Sequence, residues 1–205
     1  MHTLSRLWRE VRVASSAALE ELEFAPGPKP TSEMCKLLIL GEDQRIQSHL
    51  GVDPIALVRS IWMTCVYRRR QGGSTIAMQL VRTITGTYER TIRRKITEII
   101  LAVRLTQAFD RMDISRIYLW LAYYGWNMHG FQQAYEKIEQ ATRTGSRIAS
   151  ANLVARLKYP QPRYLDGRQL GRIDQRVQHL LALDSGSMKR DTLSGVAGHG
   201  SIPNS

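Results

Sequence analysis

The chain has 205 residues, 43% of them hydrophobic, with 29 Lys and Arg against 18 Asp and Glu and a formal charge of +11. These values exclude a disordered or fibrous chain and fit one domain with a sizeable core, or a domain with tails. No apolar run approaches the ~18–20 residues that span a bilayer, and the start lacks the apolar stretch of a secretory signal, so the sequence reads as soluble or membrane-peripheral.

From Leu4 to Phe24, the residues Leu4, Leu7, Trp8, Val11, Ala14, Ala18 and Leu22 fall at helical spacing. They predict an amphipathic helix that either packs on the domain or lies on a membrane surface, packing being preferred. Ala25-Pro26-Gly27-Pro28-Lys29-Pro30 breaks it, so residues 1–30 form a helix and a linker. Thr31 or Ser32 caps a second helix through Leu40. Asp53-Pro54 starts a third that runs to about Tyr67, the Asp capping and the Pro fitting the first turn. A basic, glycine-bearing loop, Arg68 to Gly73, follows.

Further helices are expected at Thr75–Ile84 and Tyr88–Phe109. In the second of these, Ile92, Ile96, Ile99, Ile100 and Val103 form an apolar stripe read as core-facing. Asp110 or Asp113 starts a helix through Leu121, and shorter ones cover Gly130–Glu139, Ile148–Leu157 and Arg168–Leu183. Strand signals are few. The folded domain is expected over residues 31–184, with a disordered Gly- and Ser-rich tail over 185–205. Cys35 and Cys65 lie in apolar contexts without metal-ligand spacing and read as buried thiols.

Charge is concentrated: residues 68–111 hold ten Lys or Arg and three Asp or Glu. That surplus calls for an anionic partner, such as nucleic acid, anionic lipid or a phosphorylated substrate. Three motifs lie in or near it. Glu42-Asp43 closes the apolar run Leu37–Leu40, with His49 and Asp53 following, so a carboxylate sits at the edge of a buried segment where it can act as a base. Gly72-Gly73-Ser74-Thr75 opens a helix whose exposed N–H groups and hydroxyls can hold a phosphate, and Gln79 lies one turn on. Arg94, Lys95 and Glu98 share one helical face. Each motif alone also fits a solvated or capped helix end.

Taken together, the three resemble the peptidoglycan glycosyltransferases, glycosyltransferase family 51, over roughly Leu37 to Tyr164. Glu42, Asp43, His49, Gly51 and Asp53 match the family's first motif, with Ile46 where Phe is usual. Gly73-Ser74-Thr75-Ile76 and Gln79 match the second, which here ends in Arg82-Thr83 instead of Lys-Asn. Arg94-Lys95 and Glu98 match the third. Ile114, Tyr118 and Leu119 match the fourth, in which Arg116 replaces Glu and Trp120 replaces Asn.

The resemblance implies a mainly α, lysozyme-like helical domain with few or no strands. It implies lipid II as acceptor, a growing glycan as donor, Glu42 as general base and Glu98 as a second catalytic acid beside the diphosphate. Arg82, Arg94 and Lys95 would bind the substrate and neutralise the leaving diphosphate, while Asp43, His49, Ser74, Thr75 and Gln79 would be further substrate-binding residues. It requires no cofactor and admits a divalent cation. It places such a chain at the outer face of the bacterial cytoplasmic membrane, against an anionic membrane surface and among cell-wall synthesis proteins. A non-catalytic lipid II or glycan-binding module is the alternative. A nucleic-acid-binding helical protein fits the basic charge, but no reading motif supports it and no nucleic acid is expected as partner.

Overall fold

The computed structural model describes residues 2–67, 72–89, 91–142, 146–164 and 166–197, for residues 2, 60, 61, 64–67, 146 and 188–197 the backbone alone. Its elements in order are α1 (His2–Phe24), α2 (Ser32–Glu42), a 3-10 turn (Ile46–Ser48), α3 (Pro54–Tyr67), α4 (Ile76–Thr85), α5 (Ile92–Ala108) and α6 (Arg111–Leu121). A two-stranded antiparallel sheet follows, β1 (Tyr123–Gly125) and β2 (Met128–His129), then α7 (Phe131–Thr142), α8 (Ser146–Lys158) and α9 (Gly167–Ala197). The mainly α, lysozyme-like expectation holds. The expected loop Arg68–Gln71 and the Cys65 side chain lie outside the described residues.

The helices start where local chemistry dictates. The Thr31 hydroxyl accepts from Met34 N at 3.3 Å and caps α2, and Thr91 caps α5 through Arg94 N at 3.2 Å. Asp53 Oδ1 accepts from Ile55 N at 2.9 Å and Ala56 N at 3.0 Å, closing the first turn of α3. Burial pulls the Asp53 carboxyl upward. The Ala56 N–H, the Arg45 guanidinium and the Ile55 N–H outweigh it, holding the group below its usual range.

The hydrophobic α4, with Ile76, Met78 and Leu80 fully buried, is packed among α1, α5 and α6, while α2 lies against α6, α8 and α9. The first helix packs on the domain as preferred, burying Val11, Ser15, Ala18 and Leu22, which recur every three or four residues. Trp120 stacks on Phe131 with ring centroids 5.9 Å apart and donates its indole N–H to Glu21 Oε2 at 3.1 Å. The residue that departs from the family's fourth motif therefore fastens α6 to α1. Arg116, the other departure, pairs with Asp113 at 3.5 Å on the surface. Cys35 is a buried free thiol, which burial pushes up to about 11 despite the nearby Arg116.

Two expectations are corrected. The face of α5 that enters the core is Glu98, Leu101, Ala102 and Leu105, whereas Ile92 is 82% and Ile96 53% exposed. Helical spacing identifies which side chains share a face. It does not say which of two faces turns inward, and here a carboxylate goes inside because cations meet it. In addition, α9 continues through Ala197, past the expected start of a tail at Ser185. Asp184, buried on this helix, pairs with Lys36 at 3.0 Å and Arg147 at 2.5 Å, so the boundary falls inside a tethered helix. The third helix exposes Ile55, Val58 and Trp62.

Candidate active site

The C-terminal end of α2 delivers Glu42 to a cavity of about 280 Å³, lined also by Asp43, Arg45, Asp53, Arg59, Ser74 and Thr75. Glu42 is held at both oxygens. Arg176 Nη2 on α9 donates to Oε1 at 2.6 Å, and Gln79 Nε2 on α4 donates to Oε2 at 3.4 Å. Gln79 is itself oriented, because the Tyr118 hydroxyl on α6 donates to its Oε1 at 2.8 Å. Burial, and then the negative charge of Glu42, push the Tyr118 hydroxyl far above its usual range, so it stays a donor.

Glu98 forms a second centre. It is 3% exposed and receives Arg82 Nη2 at 2.7 Å on Oε1 and Arg94 Nη1 on Oε2, with Lys95 Nζ 3.7 Å from Oε1. One carboxylate thus faces three cations, and the cluster keeps a positive surplus. Lys95 Nζ also donates to Ser74 Oγ at 2.9 Å, and Arg82 Nη2 reaches the same oxygen at 3.4 Å. Ser74 therefore joins the cation cluster to the Glu42 cavity. Burial lowers the Lys95 ammonium from its usual value, Glu98 opposes that, and the neighbouring Arg82 and Arg94 add to it. The arrangement can hold an anion and neutralise charge that builds on a departing group.

The remaining residues singled out in the sequence turn inward. Asp43 is 6% exposed; His49 Nε2 donates to its Oδ1 at 2.8 Å, and Ile76 N donates to its Oδ2 at 3.2 Å. Thr75 Oγ1 accepts from Met78 N at 3.3 Å and donates to the Gly51 carbonyl at 2.6 Å. Asp43 and Thr75 thus occupy the Ile76 and Met78 N–H groups in the first turn of α4, while the Ser74 hydroxyl lies among the cations. Asp43, His49 and Thr75 brace the loop that carries Glu42. Arg111 helps from α6, donating to the carbonyls of Ile46 at 2.9 Å and His49 at 3.1 Å.

Sequence reasoning missed Arg176 and Arg111. Arg176 had a signal: it falls at helical spacing with Ile173, Val177 and Leu180, and a cation on a buried face requires a buried anionic partner. Among the described residues no group of three or more His, Cys, Asp and Glu could hold a metal ion. Glu98, with both oxygens engaged by cations, is not arranged as a ligand for a divalent cation.

Among the described residues, no helix is long and apolar enough to cross a membrane. A family model described as Transglycosylase matches residues 13–183. The chain is 32% identical over 126 residues to penicillin-binding protein 1A of Aquifex aeolicus, covering 60% of this chain and 17% of that one. It is 24% identical over 196 residues to penicillin-binding protein 1A of Rickettsia typhi, covering 93% and 25%. With penicillin-binding protein 1A of Escherichia coli it shares 38% over 99 residues, 48% and 12% of the two chains. The match thus spans a quarter or less of the length of these relatives.

Proposed function

Because the chain belongs to the transglycosylase family, glycosyltransferase family 51, we propose that it is a peptidoglycan glycosyltransferase that extends glycan strands from lipid II. The observation that carries this reading is the Glu98-centred cation cluster, joined through Ser74 to the cavity that Glu42 lines. In the proposed step Glu42 takes the proton from the acceptor sugar's 4-hydroxyl. That oxygen attacks the anomeric carbon of the donor glycan, the bond to the polyprenyl diphosphate breaks, and the configuration inverts. The leaving diphosphate gains negative charge, which Lys95, Arg82 and Arg94 neutralise. Two carboxylates in contrasting surroundings suit this division of labour: Glu42 meets one cation and an amide, whereas Glu98 is saturated by cations and orients them.

The exposed apolar side chains Ile55, Val58 and Trp62 on α3 and Ile92 and Ile96 on α5, with the positive surplus, support contact with an anionic membrane surface, where the lipid-linked substrate would lie. The decisive measurement is lipid II polymerisation, with a moenomycin-type inhibitor as control. Glu42→Gln is expected to abolish glycan formation while leaving lipid II binding intact. Polymerisation at the wild-type rate by Glu42→Gln would remove Glu42 as the base. Lipid II binding by the wild-type chain without any glycan product would support the non-catalytic module instead.

A further inference from the structure

A second cavity, of about 360 Å³, lies between the β1–β2 hairpin and α7 and shares no residue with the Glu42 cavity or the Glu98 cluster. Asn127, His129, Gln133, Glu136, Lys137 and Gln140 line it. The last four recur at helical spacing on α7, opposite the buried Phe131, Ala134 and Ile138. Two ties fix the walls. Lys137 Nζ donates to the Asn127 carbonyl at 2.7 Å, and the His129 N–H donates to Gln133 Oε1 at 3.2 Å. The Asn127 and Gln140 amides, Gln133 Nε2 and the Glu136 carboxylate make no hydrogen bond or ion pair with another described residue. Beside them the Tyr123 ring, 52% exposed, lies 5.6 Å from the His129 ring between centroids, and the same hairpin exposes Trp126.

This chemistry selects its ligand. In a chain of charge +11, the lining holds one carboxylate and one ammonium, so it has no surplus to draw a phosphate or a nucleic acid. All the lining side chains are polar, which gives a lipid tail or an apolar peptide no surface to bury. What remains is an uncharged ligand rich in hydroxyl and amide groups. Amides donate and accept together, as hydroxyl and acetamido groups require, and a carboxylate accepts from hydroxyls. An exposed ring offers its face to the C–H groups of a sugar. We propose that this cavity is a second carbohydrate site, which holds the N-acetylated amino-sugar strand outside the catalytic centre. The cavity's chemistry points to a sugar; the choice of the strand as that sugar rests on the reading of the chain as a glycan-extending enzyme.

The test titrates the full chain with N-acetylglucosamine tetramer, and with maltotetraose for comparison, following backbone amide shifts by NMR. Saturable shifts centred on residues 123–140 are expected for the amino-sugar tetramer, with Kd raised about 10-fold by Tyr123→Ala and by Gln133→Ala. Both side chains are exposed, and an unchanged thermal midpoint checks that each variant is folded. In lipid II polymerisation, Tyr123→Ala should give shorter strands at an initial rate within about twofold of the wild type. Shifts confined to the surroundings of Glu42 and Glu98, a Kd that neither variant moves, or equal affinity for maltotetraose overturns the inference while polymerisation stands. Absence of any glycan product from the wild type overturns the reading of the enzyme and removes the strand as occupant with it.

Discussion

Gly51 shows how little freedom the loop that carries Glu42 has. Its φ is +80°, and an added Cβ would meet the Ala102 carbonyl oxygen at 2.4 Å and its carbon at 2.7 Å, backbone atoms that cannot step aside. Gly51→Ala is expected to destabilise the fold by roughly 2–4 kcal/mol, measured by urea unfolding. The Gly51 carbonyl accepts the Thr75 hydroxyl, so strain there passes to the start of α4. At this scale the motifs named Glu42, Glu98, Ser74, Lys95, Arg82, Arg94 and Gln79, all of which meet in space. They did not distinguish groups that face the cavity from groups that brace it, because a motif records residue types and not directions; Asp43, His49 and Thr75 turned out to be internal partners. Arg176 is 134 residues from Glu42 in sequence, and only the docking of α9 brings the two together.

Helix α5 carries two apolar faces at helical spacing. The Leu101 face is buried and the Ile92–Ile96 face is not. Leu101→Ala is therefore expected to cost about 2–5 kcal/mol, whereas Ile96→Gln should stay within about 0.5 kcal/mol; paired thermal or denaturant melts decide between the faces. Most helix positions were legible because caps and periodicity agree locally, as at Thr31 and at Asp53-Pro54. The inward face of α5 was not legible, because burying Glu98 depends on Arg82 from another helix. The end of α9 was hidden for a similar reason, since Lys36 and Arg147 tether Asp184 from α2 and α8 while the local composition there is rich in Gly and Ser.

At the scale of the whole molecule, a formal charge of +11 coexists with exposed apolar side chains on α3 and α5. Charge and apolar area act together at a membrane surface, and salt weakens only the first. The chain is expected to sediment with vesicles containing phosphatidylglycerol at low ionic strength and to be largely released near 1 M salt, where the screening length falls to about 3 Å. Trp62→Ser should weaken binding at every salt concentration. Equal sedimentation with neutral phosphatidylcholine vesicles would show that the positive surplus plays no part.

The tie between α9 and α2 also has a consequence for the order of synthesis. A ribosome releases Glu42 and the three cations around Glu98 well before it has made Arg176. Until α9 emerges and closes on Gly41, the nascent chain carries its acid and its cations without the clamp on Oε1. A fragment cut ahead of α9 would keep every recognisable motif and still lack the geometry, which makes the last helix a built-in delay on the assembly of the site.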